Sequence, residues 1–412
     1  MHSGLRCGLS EAQELLADTG VAGPPLEVVH YYYGQWPTGV GVSKTGRIFT
    51  TFPPGFDPNS TFDGSNGRFS VGELKSKDSE VAWPNVELNS PPGGAINYTT
   101  NPPTGANYPN YIIAAQSVVI DGLDRAWILD TGRSLTPNGS LVPASVPGGP
   151  KLIGIDLSKN DTVFDTIVFS PDVVFPDSYL QDVRFDLRPH LTPSGKGVAY
   201  ITDSSINTIN GLLVVDLGTH EVWRRFDGPS VAPVDQQFNA YIWGTPLLFQ
   251  PGPTSPTRYL PLGRRLSLSA DGEELFFGVA ESRMLWSVKT ELLRRRDAGS
   301  ELAAQAGLTT RGQKGVSDGY EVDSNGLLYF GNVEQNAINV YHESNGTASV
   351  WVRDPRINWA DTLAIAEDGY LYFTVNQLQL SPIIFPGTDR RVKPYGLLRA
   401  KLPGNGTKVN LI

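Results

Sequence analysis

The residues able to do chemistry recur at equivalent places along the chain. Four aspartates, Asp130, Asp203, Asp318 and Asp361, each stand at the edge of an alternating apolar segment. At matching places come Gln35, Trp36, Thr38, Gln116, Gln181, Arg264, Asn332, Asn358, Trp359 and Asn376, with Ser117, Asp182, Arg265 and Ser317 beside them. Carboxyl groups buried among amides and rings can serve as general acids, because desolvation raises their pKa. Trp36 and Trp359 offer flat stacking surface, and amides hold a neutral ligand by hydrogen bonds. Strand alternation puts positions 359 and 361 on one side, so an indole and a carboxylate can act together. The set suits an uncharged small molecule, apolar or partly aromatic. A structural role competes for Asp130 and Asp203, since aspartates at strand ends can simply accept backbone N–H groups at a corner.

Other inventories fail. The five histidines, His2, His30, His190, His220 and His342, have no ligand spacing, and H-E-x-x-H is absent. The single Cys7 makes no intrachain disulfide and no cysteine-rich metal site. G-x-G-x-x-G does not occur. Gln35, Gln181 and Arg264 form a poor divalent site, because hard cations want carboxylate oxygens and Arg repels them. Neither a metal nor a cofactor is expected. The run Arg294-Arg295-Arg296 reads as a solvated helix face. A net charge of −9, from 33 basic and 42 acidic residues, argues against a nucleic-acid partner. No apolar run approaches the roughly 18 residues of a membrane span.

The elements that must position these residues are short. Forty-four Gly and 32 Pro in 412 residues mean many tight turns and no long helices. One unit recurs six times: a polar lead-in, an alternating strand, a turn, and a second strand rich in aromatics. The copies start at Trp36, Gln116, Gln181, Gly263, Ser317 and Asn358. Asp271-Gly272, Asn325-Gly326 and Asp368-Gly369 are hairpin turns, while a longer loop around His190 replaces the turn in the third copy. A unit that cannot bury both faces alone must stack on its neighbours, and closing the stack removes the edges. The expected fold is all-β, a six-bladed β-propeller over residues 26–412 with short helical insertions, one of them a helix pair over Val288–Leu308. Residues 1–25 are expected as an extension with a short helix, opened by the capping box Ser10/Gln13. In a propeller the lead-ins of all six copies converge on the central channel.

The segments Gln116-Ser117-Val118, Arg125-Ala126-Trp127-Ile128-Leu129-Asp130-Thr131-Gly132 and Ala199-Tyr200-Ile201-Thr202-Asp203 resemble the yellow / major royal jelly protein family. So do Ser317-Asp318-Gly319, Trp359-Ala360-Asp361-Thr362-Leu363 and Asp368-Gly369-Tyr370-Leu371-Tyr372. The resemblance runs from about Leu26 to Ala400. It implies a six-bladed propeller with a central small-molecule pocket. Relatives include pigment-pathway isomerases, amine or lipid carriers, and fungal yellow-like cyclases that perform cofactor-free hetero-Diels–Alder reactions. The function expected is a cofactor-independent cyclase or isomerase of secondary metabolism, joining a quinone-methide-type intermediate to an alkene or terpene. Two alternatives stand beside it: a calcium-dependent hydrolase of the sugar-lactonase type, and a non-catalytic binder of hydrophobic or aminergic ligands.

Six N-x-[ST] sequons, at Asn59, Asn97, Asn138, Asn160, Asn345 and Asn405, sit in Gly/Pro/Asn-rich turns where glycans fit. No apolar leader precedes them within residues 1–20. The expectation is a secreted or secretory-pathway protein whose leader is absent from this chain.

Overall fold

The computed structural model describes residues 20–57, 69–205, 210–227, 238–259, 264–280 and 282–412. The expected helix after Ser10 and the sequon at Asn59 lie outside the described residues. Six four-stranded antiparallel sheets carry the fold. Listing the innermost strand first, blade 1 is Val40–Val42, Ile48–Thr51, Val71–Leu74 and Glu80–Ala82. Blade 2 is Ala115–Ile120, Ala126–Asp130, Lys151–Asp156 and Thr162–Val168. Blade 3 is Leu180–Asp186, Val198–Asp203, Gly211–Asp216 and Val222–Arg225. Blade 4 is Arg264–Leu268, Glu274–Val279, Met284–Lys289 and Thr309–Gln313. Blade 5 is Tyr320–Val322, Leu328–Asn332, Ala337–His342 and Thr347–Arg353. Blade 6 is Ala360–Ile365, Tyr370–Val375, Tyr395–Lys401 and, from the other end of the chain, Leu26–Tyr32.

Each inner strand touches the inner strands of the blades before and after it, and the sixth returns to the first. The protein is therefore a closed six-bladed propeller, and the two leading strands of every blade are those of the sequence repeat. Closure explains the burial. The inner strand Leu180–Asp186 is buried along its whole length, because both faces meet neighbouring blades. The outer strand Thr162–Val168 is mostly open to solvent. Between blades 2 and 3 the core is Trp127, Leu129, Val183, Phe185 and Leu213, with Trp127 stacked on Phe185 at 5.1 Å. Hairpin glycines Gly272, Gly326 and Gly369 take φ of 73°, 77° and 77°, which a side chain would strain.

The helix pair is present as α1 (Thr290–Arg294) and α2 (Ser300–Ala306), inserted between the last two strands of blade 4. Arg295 and Arg296 are exposed and pair with Asp297 and Glu221, while half-buried Arg294 donates to the Tyr200 hydroxyl at 3.1 Å.

Both mouths of the channel are covered. At the lower mouth the segment 407–411 crosses the ring: Leu187 donates its N–H to the Leu411 oxygen at 2.9 Å, and Lys408 donates to the Asp121 oxygen at 2.9 Å. At the upper mouth a strap, residues 238–250, leaves the connection between blades 3 and 4 and reaches blade 6 on the opposite side. There Gln250 N–H meets the Ile383 oxygen at 2.7 Å, and Phe385 N–H meets the Leu248 oxygen at 2.8 Å. Ala240, Ile242 and Leu247 of the strap join Trp36, Val316, Val333 and Trp359 in one apolar cluster.

Candidate functional site

Beneath that cluster, three blades bring their lead-ins to a buried charge cluster. Arg265, on the inner strand of blade 4, donates Nε–H to Asp318 Oδ1 at 2.5 Å and Nη2–H to Asp361 Oδ1 at 2.9 Å. Relative exposures are 3% for Arg265, 5% for Asp318 and 2% for Asp361, so bulk water cannot screen the cluster. The Trp359 indole donates to Asp318 Oδ2 at 3.0 Å, and the Asn376 amide to Asp361 Oδ2 at 2.6 Å. Asn376 also donates to the Pro37 oxygen at 3.0 Å and accepts the Trp36 indole N–H on its main-chain oxygen at 2.7 Å. Trp36, Asp318, Trp359, Asp361 and Asn376, all expected at the site, thus form one hydrogen-bonded unit.

Two carboxyls share one guanidinium, which leaves the trio one positive charge short. Burial, and then the neighbouring Asp318 carboxylate, push the Asp361 carboxyl up to about 7, against the opposing pull of Arg265, Asn376 and Thr362. Burial works against the charge on Arg265, yet Asp318, Asp361 and Asp182 outweigh it and hold the guanidinium more firmly protonated than usual. Trp359 keeps φ at +66°, a conformation rare for a large side chain, and its N–H bond to Asp318 helps hold it there.

Several expected residues do other work. Asp130 accepts the N–H groups of Ile113, Ala114 and Gly132 at 2.7, 2.9 and 2.8 Å, and pairs with fully buried Lys151 at 3.0 Å. Asp203 accepts from Tyr179 N–H, Ser178 Oγ–H, Ser205 N–H and Arg224. These are equivalent corners of blades 2 and 3, where a carboxylate ties the chain leading into the blade to its second strand. Asp130 and Asp203, expected as acids, each accept four donors at a blade corner, and none of those donors belongs to the charge cluster. Thr38 is fully buried and donates to the Gln116 oxygen at 3.0 Å. The side-chain amides are likewise engaged: Gln35 with the Phe69 oxygen, Gln116 with Tyr179, Gln181 with Ser204 and Asn332 with Gln335. Asn358 bonds Gln379. The side chain of Arg264 lies outside the described residues; the guanidinium at the centre is that of its neighbour Arg265.

A cavity of about 580 Å³, within the size range of small-molecule sites, has none of the charge cluster's residues in its walls. Its walls are Phe56, Tyr98, Leu135, Pro137, Pro251 and Ile383, with Asp57, Asn138, Ser381 and Arg391 as polar groups. Phe56 stacks on Trp36 at 5.2 Å and 14°, linking cavity to cluster. The charges are already matched: Asp57 by Lys393 at 3.1 Å, Arg391 by Asp389 at 2.8 Å. These walls come from loops between strands, outside the repeats.

The sequence profile described as "Major royal jelly protein" matches residues 113–392, more than half of the protein. The chain belongs to the major royal jelly protein family. No curated protein matches it in sequence. Among solved structures, it is similar to a calcium-binding protein, regucalcin, from Agrobacterium tumefaciens: 12% identity, TM-score 0.51, covering 95% of this chain and 97% of that one. A gluconolactonase from Xanthomonas campestris has 11% identity and TM-score 0.49, covering 94% and 96%. A luciferin-regenerating enzyme has 12% identity and TM-score 0.49, covering 94% and 100%. Such likeness speaks for the propeller fold alone. In this royal-jelly-family chain the matched region holds Arg265, Asp318, Trp359, Asp361 and Asn376, whereas Trp36 and Phe56 precede it. The part Arg265 plays was open to one sequence argument: two acidic lead-ins in adjacent blades need a nearby cation.

Proposed function

We propose that this protein is a cofactor-independent cyclase or isomerase that binds an apolar or aromatic small molecule in the 580 Å³ cavity and acts on it with the Asp361 carboxyl. The observation that carries the reading is the Asp318–Arg265–Asp361 trio, in which the Asp361 carboxyl can hold or release a proton near neutral pH. Phe56 is half-buried at the cavity wall, and swinging it off Trp36 would lead the substrate toward the acid. A hetero-Diels–Alder closure suits this equipment. It forms one C–O and one C–C bond between a quinone-methide-type heterodiene and an alkene, with no oxidant and no leaving group. The walls hold the two π systems in contact, and a protonated carboxyl polarises the heterodiene oxygen.

The lactonase alternative meets a specific obstacle. The oxygens of Asp318 and Asp361 that a divalent cation would need are already taken by Arg265, Trp359, Thr362 and Asn376. These residues do not fit a calcium ion. We also place the protein in the secretory pathway, on the support of sequons: Asn138, Asn160, Asn345 and Asn405 are exposed, while Asn97 is half-buried. Expression through a eukaryotic secretory host should give a mass that drops on endoglycosidase treatment.

The test is incubation with quinone-methide precursors and alkenes in EDTA, followed by mass spectrometry. An adduct equal in mass to the two substrates together, formed faster than background and lost in Asp361→Asn, is expected. Activity that vanishes in EDTA and returns with calcium would restore the lactonase. Saturable binding without turnover would make the protein a carrier.

A further inference from the structure

The 580 Å³ cavity, larger than the 170 Å³ space under the strap, takes one wall from the hairpin that follows the second strand of blade 2. Leu135 and Leu141 bridge at the base of this hairpin, and Thr136 N–H meets the Ser140 oxygen at 2.8 Å. Its tip, Thr136-Pro137-Asn138-Gly139, lines the cavity, and Asn138 is exposed as well. Asn138 therefore stands at the rim, where wall meets solvent. Its amide is held by one end. Oδ1 accepts from the Thr136 hydroxyl and, at 3.3 Å, from Ser140 N–H, which fixes the oxygen inward on the hairpin. Among the described residues Nδ2 donates to no protein group. Asn138-Gly139-Ser140 is also one of the six sequons. A separate loop brings Tyr98 into the same wall, with 54% of its surface open to water.

We propose that Asn138 carries an N-linked glycan whose first sugars lie across the cavity mouth toward Tyr98, so that a ligand enters only when they move aside. The proposal rests on the secretory reading and on this cavity being a ligand site, and is independent of the cyclase chemistry. In the transfer, Nδ2 loses one proton and bonds to C1 of N-acetylglucosamine. The bond from C1 to the pyrophosphate of a lipid carrier breaks, and the pyrophosphate leaves. Position sets Asn138 apart from the other exposed sequons. Asn160 and Asn345 sit in turns between the two outer strands of blades 2 and 5, Asn405 follows the strand Tyr395–Lys401, and none of them lines the cavity. A sugar ring has a face of C–H groups and a rim of hydroxyls, so it can rest on the phenol and keep its polar edge in water. Bare, the same apolar mouth would be open to other proteins.

The test compares the whole chain secreted from a eukaryotic host with the same chain made in bacterial cytosol, where no oligosaccharide is attached. Peptide mapping by mass spectrometry should find Asn138 occupied in the secreted form. Stopped-flow fluorescence with N-phenyl-1-naphthylamine, a neutral apolar dye, reads entry to the cavity, and Tyr98→Ala in the bacterial protein should weaken dye binding several-fold. Ser140→Ala deletes the sequon but keeps the Asn138 amide and the main-chain bonds of the hairpin. In the secreted protein it should speed dye association at least threefold; in the bacterial protein it should change nothing. Thr162→Ala, which deletes the Asn160 sequon, should change neither. An unoccupied Asn138 beside occupied sequons elsewhere would overturn the proposal and leave the secretory reading standing, whereas no occupied sequon would sink both. An occupied Asn138 with dye entry indifferent to Ser140→Ala, or the same acceleration in the bacterial protein, would also overturn it. Dye binding indifferent to Tyr98→Ala would remove the cavity as a ligand site, and the proposal with it.

Discussion

Trp36 donates its indole N–H to the main-chain oxygen of Asn376 at 2.7 Å, across 340 positions of sequence. The bond joins the lead-in of blade 1 to the end of the second strand in blade 6. The same asparagine then gives its amide to Asp361 and to the Pro37 oxygen. Closure of the ring and placement of the acid therefore rest on one residue. Asn376→Leu should cost about 1–3 kcal/mol for each acceptor left buried and unpaired, measured by urea unfolding. It should also raise the Asp361 pKa further, because a donor to the ionised form is gone.

Acidity gives a second prediction. The Asp361 carboxyl rises from an ordinary 3.8 to about 7 in the folded protein. Between those values the native state binds a proton that the unfolded chain has released. Stability from this group is therefore highest at low pH and falls as pH rises through the window, with no further change above it. Melting curves taken from pH 4 to 8 should show the decline, and Asp361→Asn should flatten it.

Removing the shared cation should be costly. Arg265→Met leaves two buried carboxylates facing each other, and breaking such a network typically costs about 3–5 kcal/mol. Adding Asp318→Asn and Asp361→Asn to the same protein should return much of that loss. If the triple variant is no more stable than Arg265→Met alone, the cost lies in packing instead.

Trp359 separates structure from catalysis. Trp359→Phe keeps a ring in the apolar cluster but deletes the donor to Asp318, a loss of about 1.5–3 kcal/mol for a bond to a charged group. Under the proposed reaction kcat/KM of the folded variant falls as well, because the Asp318 carboxylate beside Asp361 helps set the acidity of that carboxyl. A purely structural tryptophan would lower the melting temperature and leave kcat/KM unchanged.

The corner pair Asp130–Lys151 supplies the contrast. Both side chains are fully buried, and burial lowers the Lys151 pKa despite the pull of Asp130. Lys151→Met should destabilise by about 3–5 kcal/mol. Ligand affinity in the larger cavity should stay as it was in whatever fraction remains folded.

The ring itself was legible because its signal is local and repeated: the alternation, the turn glycines and the aromatic second strands sit in one short window each. Trp36, Asp318, Trp359, Asp361 and Asn376 could be found for the same reason, since equivalent positions in a propeller converge. Asp130 and Asp203 occupy equivalent positions too, yet their oxygens face the backbone at a corner, a distinction set by side-chain direction and not by register. Arginines 264 and 265 are neighbours on one strand, and the pattern alone left open which of them meets the acids. Phe56, Tyr98, Leu135 and Ile383 meet only because four unrelated loops fold over one rim. No periodicity records that.

The strand Leu26–Tyr32 pairs with Tyr395–Lys401 from Leu26↔Ala400 to Tyr32↔Tyr395, with a bulge between Val28 and His30, so blade 6 is stitched from distant parts of the chain. On the ribosome, the segment made early must wait for the segment made late. Until Lys401 has been synthesised, the strand at Leu26 has no partner, and its unpaired edge is open to other nascent chains. Chaperone demand should therefore peak at the close of translation, and chains cut short before residue 395 should aggregate with both halves of that blade's seam exposed.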